Sequence, residues 1–346
     1  MPRNVCVGAY YQVSTSQVRY VDVTRLPTFF TRLFSLLLPI VGLQTALRAA
    51  DTNLPMNEVR IAAVQFEIEG NQTAEQLLVK LEAAVGEGIA AKADCIVFPE
   101  FVTFDTWRVS EIESHLVPSP QEIEETRRIA SEITPIFLHG MAELAQKYQI
   151  DILAGTTPRI EGSSVFNSAH LFFRDGSSFR QDKLYPTHWE LKAGISPGSE
   201  LATCNTRWGK CAILTCYDIE FPNVSSLLVS ECPEIIFAPS MTESAAGLQR
   251  VRWCAQARAV EHHAFVIVAG TVGSPSPSWQ HFGQAAFIAP RDSRFVDNPV
   301  TGRLGEAMVL TNPMNLQALR ESRQSTEFNP SADIISRKVS LPIRLR

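Results

Sequence analysis

A chain of 346 residues with 45% hydrophobic and 19% charged side chains has the composition of a folded globular protein, which excludes a peptide, a disordered chain, a collagen-like repeat and a coiled coil. The balance of 31 basic against 36 acidic side chains gives a net charge of −5, so no nucleic-acid partner is expected. The cysteines Cys6, Cys95, Cys204, Cys211, Cys216, Cys232 and Cys254 form no C-x-x-C pair, which predicts free thiols in a reducing compartment and neither a disulfide framework nor a metal site.

Residues 1–57 read as an N-terminal extension or presequence. Residues 1–54 hold Arg3, Arg19, Arg25, Arg32 and Arg48 against only Asp22 and Asp51, so this head is positive while the remainder is negative. Its apolar run Leu33–Leu43 is interrupted by Pro39 and is short of the roughly 18 to 20 residues that span a bilayer, so no stable membrane insertion is expected. Three readings are open: an Arg-rich mitochondrial presequence, a misplaced secretory segment, or an extension of the fold. A cytoplasmic location is the leading expectation and a mitochondrial one the alternative.

From Glu58 onward short apolar runs alternate with segments of helical period, the pattern of an α/β protein. Strands are expected at Val59–Phe66, Cys95–Phe98, Ile150–Gly155, Ser168–Phe173, Cys211–Cys216, Ile235–Ala238, Phe265–Ala269 and Ala285–Ile288. Helices are expected over Thr73–Ala91, within Gln121–Tyr148 and over about 248–262. The last places Val251, Cys254, Ala255 and Ala259 inward and sets Arg258 one turn from Glu261. Thr103–Pro118 and Gly273–Gly283 read as loops. Glu306–Leu310 reads as a further strand and Leu316–Ser322 as a short helix. One domain is expected over 58–323, followed by an aperiodic tail over 324–346.

Three strand ends bear reactive side chains. The run IVFPE delivers Glu100 just beyond a strand that Pro99 stops, although a single such carboxylate is more often a helix N-terminal or surface acid than a base. Lys183 precedes an aromatic, proline-broken loop (LYPTHWE) that can desolvate its ammonium beside carboxylates. Cys216 ends the apolar strand ILTC before a helical segment, so it would occupy a sharp strand-to-helix turn that presents its sulfur. Most free cysteines are buried and inert, and that reading serves Cys95, Cys211, Cys232 and Cys254. His188, His262 and His263 read as loop, rim or packing residues.

The motifs RIAAVQF, VFPE at Glu100, DKLYPTHWE at Lys183, LTCYDIEFP at Cys216 and RVRWCAQARAVE occur in an order that resembles the nitrilase superfamily of carbon–nitrogen hydrolases. They look most like a bacterial-type branch sometimes fused to an acetyltransferase-like domain, for which the first 57 residues are too few. The resemblance covers roughly 59–310. It implies a four-layer αββα sandwich that forms a homodimer or higher homo-oligomer, with 248–261 as the interface element. It also implies a small-molecule amide or N-carbamoyl substrate, cleaved through a Cys216 thioester. In that scheme Glu100 is the general base, Lys183 and the backbone N–H of Tyr217 hold the oxyanion, and Glu190 positions substrate and water. No metal or organic cofactor is needed.

Two positions depart from the family pattern, Asn223 after the FP of the cysteine motif and His262 after the helix glutamate. Relatives that recognise a substrate carboxylate often place arginine shortly after the nucleophile, where this chain has Ile219 and Glu220. A neutral or amine-bearing substrate is therefore expected, with Glu220 and Trp189 as candidate substrate contacts. The same Glu-Lys-Cys set would serve a nitrile hydrolase or an acyltransferase, and a non-catalytic binding protein could retain the fold.

Overall fold

The computed structural model describes residues 56–108, 118–277, 279–325 and 328–337. The expectations placed on the arginine-rich head, on most of the 103–118 loop and on the last nine residues lie outside them. The first half comprises β1 (Glu58–Glu67), α1 (Ala74–Ala90), β2 (Cys95–Val97), α2 (Pro120–Arg128), α3 (Thr134–Tyr148), β3 (Asp151–Glu161), β4 (Ser164–Phe172) and β5 (Ser178–Asp182). Next come α4 (His188–Lys192), β6 (Ile195–Ser196), β7 (Thr203–Thr206), β8 (Gly209–Ile213), α5 (Pro222–Ser226), β9 (Ile235–Ser240) and α6 (Ala245–His262). The chain continues through β10 (Phe265–Ser276), β11 (Trp279–His281), β12 (Ala286–Ile288), β13 (Val300–Thr301), β14 (Met308–Asn315), α7 (Leu316–Gln324) and α8 (Pro330–Arg337).

Strand alternation builds the layers. On β1, Val59, Ile61 and Ala63 enter one core while Ala62, Val64 and Phe66 enter another with Leu77 and Leu81 of α1 and Phe137 and Met141 of α3. On β9 and β10, Ile235, Phe237, Phe265 and Ile267 join the first core, whereas Ile236, Ala238, Val266 and Val268 pack with Val251, Ala255 and Ala259 of α6. The first core is therefore shared by both halves of the sheet, and helices cover each outer face, giving a four-layer αββα sandwich. Each fully buried Ile, Leu or Phe contributes about 1.5 to 3 kcal/mol relative to an exposed position.

The sheet runs β5-β4-β3-β2-β1-β10-β9-β8-β7. Strands β3, β2, β1, β10, β9 and β8 are mutually parallel, and two antiparallel steps through β4 return β5 to the same direction. The C-terminal ends of β2, β5, β8 and β9 therefore share one rim, the edge at which open α/β sheets place their chemistry.

Several elements differ from the sequence expectation for identifiable reasons. The pattern over 121–148 is two helices joined by a π turn at Ile129–Ile133, because Pro135 lacks an N–H and its ring cannot sit in a regular α register. The 103–118 loop begins with a buried 3₁₀ turn, Val102–Thr106. The 273–283 segment is largely the β10–β11 hairpin. The strand expected to reach Cys216 stops at Ile213, and Cys216 opens a 3₁₀ turn through Glu220. The tail expected to be aperiodic contains α8.

Gly155 lies where β3 shifts register against β4, with φ of +67°, and a Cβ there would stand 1.9 Å from the carbonyl oxygen of Pro99. Only glycine fits both demands. Gly155→Ala should lower unfolding stability by about 3 kcal/mol, combining left-handed strain with a backbone clash, as read from the urea midpoint.

Candidate active site

Each reactive side chain sits where a strand is turned aside. Beyond β2, the Pro99 carbonyl accepts from Thr156 N–H at 3.2 Å, and Phe101, at φ +54°, donates its N–H to Thr156 Oγ1 at 3.0 Å. Glu100 is clamped between these two bonds to β3. Beyond β5, Lys183 donates its N–H to the Asn167 carbonyl of β4 at 2.8 Å. Beyond β8, Cys216 adopts φ +47°, a left-handed conformation that turns the chain sharply and is costly for a residue with a Cβ.

The structure brings Glu100, Lys183, Glu190 and Cys216 together, all of them buried. Lys183 Nζ donates to Glu100 Oε1 at 2.8 Å and to Glu190 Oε2 at 2.6 Å. Glu100 Oε2 accepts from the Met241 N–H, just past β9, at 2.9 Å. Cys216 Sγ lies 3.5 Å from the Met241 carbonyl, and its thiol is close enough to the Glu100 carboxylate for the two to affect each other's titration. Glu190 has a second task at the start of α4, where it forms a capping box with Thr187: Thr187 N–H donates to Glu190 Oε2 at 2.7 Å, and Thr187 Oγ1 accepts from Glu190 N–H. The T-x-x-E spacing in THWE was the sequence signal for this helix.

Burial dominates the electrostatics. It raises the pKa of Glu100, opposed by the adjacent Lys183 charge and reinforced by Glu190. Burial alone would pull the Lys183 ammonium down, but Glu100 and Glu190 outweigh it and hold the group well above its usual range. Burial, with the Glu100 charge, pushes the Cys216 thiol well up. The resting cluster therefore holds a neutral thiol, an ammonium and a carboxylate whose proton affinity burial has raised, an arrangement that suits proton transfer during attack rather than a preformed thiolate.

Two site neighbours escaped the sequence reading. Asn167 bridges both carboxylates, donating from Nδ2 to Glu100 Oε1 at 2.9 Å and to Glu190 Oε1 at 2.8 Å. Asp218 accepts the N–H groups of Leu184 and Tyr185, at 3.1 and 2.7 Å to Oδ1, so the turn after Cys216 holds the turn after Lys183. Burial pushes Asp218 up to about 7, against the opposing Lys183 charge. An acid two residues after the thiol was the available signal.

Tyr217 is the second residue of the 3₁₀ turn, in which the Asp218 N–H donates to the Thr215 carbonyl, so its own N–H stands at the turn's open end. Trp189 joins an aromatic cluster with Phe104, Trp107 and Trp279, its ring 5.8 Å from that of Trp107. Met241 packs on the same cluster. Glu220 points elsewhere: its carboxylate pairs with Arg250 Nε of α6 at 3.1 Å, and no contact joins it to the Glu-Lys-Cys cluster among the described residues. His263 bonds Ser322 and lies against Asp292, His262 is buried at the end of α6, and His188 is exposed at the start of α4, so none partners Cys216 among the described contacts. Arg258 pairs with Glu261 as expected, at 2.6 Å.

The αββα sandwich thus gathers two carboxylates, an ammonium and a thiol at one rim. Residues 60–324 match the model of the carbon-nitrogen hydrolase family, and the chain belongs to that family, within the nitrilase superfamily. It is similar to the probable hydrolase YhcX of Bacillus subtilis, 35% identical over 274 residues, which are 77% of this chain and 52% of that protein; the chain thus matches about half of YhcX. The solved structure of Saccharomyces cerevisiae Nit3 superposes with a TM-score of 0.62 at 18% identity, over 79% of this chain and 96% of that one. An amidase from Nesterenkonia, with the acetamide moiety of fluoroacetamide added at its active-site cysteine, superposes with a TM-score of 0.60 at 16% identity, over 78% and 95%. These two likenesses bear on the fold.

The raised Asp218 gives a stability prediction. Its folded pKa of about 7 lies above the ordinary 3.8, so its contribution is fully present below about pH 4 and is lost as pH rises through about 7. Between pH 6 and pH 8 this should cost on the order of 1 kcal/mol in wild type, a slope absent in Asp218→Asn when urea midpoints are compared.

Proposed function

We propose that the chain hydrolyses the C–N bond of a small linear amide or N-carbamoyl compound, with residues 58–323 as the hydrolase domain and 1–57 and 324–346 as flanking segments. The observation that carries this reading is the buried contact set in which Lys183 bridges Glu100 and Glu190 while Glu100 also meets the Cys216 thiol. Glu100 takes the thiol proton as sulfur attacks the amide carbon. The carbonyl oxygen becomes an oxyanion held by Lys183 Nζ and the Tyr217 N–H. Glu100 returns the proton to the departing nitrogen, leaving an acyl-thioester on Cys216. Water activated by Glu100 and positioned with Glu190 then releases the acid and restores the thiol. The Nesterenkonia cysteine adduct supports a thiol nucleophile by analogy.

Charge argues for the substrate class. Glu100 and Glu190 already share and neutralise the single cation of the cluster, Lys183, which disfavours a substrate carboxylate. Trp189 contributes an apolar wall with its aromatic neighbours. Glu220, tied to Arg250, is given no substrate role.

Self-association is assigned to α6. Trp253, 63% exposed, and Val260 stand two turns apart on its outer side, an apolar stripe that a second copy would cover. Trp253→Arg should shift the protein toward monomer in light scattering after size exclusion, whereas an unchanged mass would remove α6 from the interface.

Ammonia release from a panel of short amides, carbamoyl compounds and nitriles tests the activity. Amides or carbamoyl compounds should turn over, amine-bearing ones faster than acidic ones. Cys216→Ala should remove turnover, Lys183→Met should lower it about 10²- to 10³-fold, and Glu100→Gln about 10²- to 10⁴-fold. Full turnover by Cys216→Ala would sink the proposed mechanism.

A further inference from the structure

Asn167 lies on β4 with its side chain fully buried, and it touches Glu100, Glu190 and Lys183. Its carbonyl accepts the Lys183 N–H at 2.8 Å, and its Nδ2 donates one hydrogen toward Glu100 Oε1 at 2.9 Å and the other toward Glu190 Oε1 at 2.8 Å. A primary amide has two N–H bonds in a fixed fork, so one flat group serves two acceptors at once. The amide orientation follows from this, because the flipped rotamer would aim its oxygen at two carboxylates. Oδ1, directed away from them, is buried without a partner.

The two oxygens of Glu100 are thereby made unequal. Oε1 accepts from both Lys183 and Asn167, while Oε2 has the Met241 N–H and faces the thiol side of the site, since Met241 also receives the contact from Cys216 Sγ. An oxygen already saturated by an ammonium and an amide is a poor proton acceptor. We propose that Asn167 is a positioning residue that fastens Glu100 to Glu190 and reserves Glu100 Oε2 as the oxygen that takes the Cys216 proton. Lysine is a point charge about which each carboxylate could turn, and the planar amide removes that freedom. This rests on Glu100 being the general base.

The charged and titratable groups around Glu100 are Lys183 beyond β5, Glu190 on α4 and Cys216 beyond β8, and Lys183 and Glu190 in turn act on Asp218. Removing a neutral donor from an ionised carboxylate makes that form less favourable, so the base should titrate at higher pH. The test is the pH dependence of Cys216 alkylation by iodoacetamide in the full chain, followed by peptide mass spectrometry so that the other thiols are read separately. Asn167→Leu removes the fork. Asn167→Asp keeps its shape while exchanging a donor for a third carboxylate, and reports if the leucine variant does not fold. Both should move the acidic limb up by about one pH unit and slow alkylation about 10-fold at pH 6. In parallel, Glu100→Gln should abolish the limb. A folded Asn167 variant with the wild-type limb, beside a Glu100→Gln protein that has lost it, overturns the positioning role and leaves the base intact. A wild-type limb in Glu100→Gln removes the base and the proposal with it. Failure of both Asn167 variants to fold would make Asn167 a structural residue of β4 and end the proposal.

Discussion

The Lys183 ammonium, 1% exposed between Glu100 and Glu190, is the contact on which the site depends. Two carboxylates close enough to share one donor repel each other strongly in a water-poor interior, and an isolated buried ammonium is equally unfavourable. Each charge is tolerable only because the others are present. Lys183 leaves β5, Glu100 leaves β2 and Glu190 stands on α4, so the cluster forms only once β5 has been returned through β4 to the rim where β2 ends. The ion cluster is thus a product of the sheet's topology as well as a constraint on it.

Regular strands alone would not aim these side chains. Phe101 and Cys216 sit in left-handed conformations, and Gly155 supplies the space in which the Pro99 carbonyl bonds to β3. Such departures cost on the order of 1 to 3 kcal/mol each and persist where the surroundings over-determine them. Here the surroundings are the bonds from Phe101 and Thr156, the Leu214 N–H to the Phe237 carbonyl, and Asp218 gripping the backbone after Lys183. The backbone is bent at the same rim where the charges meet.

The central strands were legible because both faces are largely buried: IIFAP is a continuous apolar run, and VRIAAVQF is one broken only by Arg60 and Gln65. The amphipathic α1 was legible for the complementary reason. The polar β5 and β7 were not, since SFRQD and TCNT have no apolar period and owe their existence to pairing with β4 and β8. Glu100, Lys183 and Cys216 could be found because a reactive side chain directly following an apolar run, in a recognisable motif, is a local signal. Asn167 was hidden because its role is to join residues 67 positions before it and 23 positions after it, and a lone asparagine says nothing of that. Glu220 shows how little adjacency in sequence says about facing in space: within a 3₁₀ turn, four residues carry it from Cys216 round to a pairing with Arg250.

Charge conservation explains why the cluster suits its proposed chemistry. A thiolate at Cys216 with both carboxylates ionised would set three anions against one ammonium in a site closed to water, and the raised thiol expresses that penalty. Moving the thiol proton onto Glu100 instead leaves the total unchanged: one carboxylate is neutralised as sulfur becomes negative. When negative charge passes from sulfur to the oxyanion, Lys183 loses a charged partner in Glu100 and can meet the new one without leaving Glu190. In the proposed scheme the second glutamate would keep the ammonium in place during that exchange, which would give its capping position on α4 a chemical consequence: a helix start rigid enough to fix Glu190 would also fix the cation offered to the developing oxyanion.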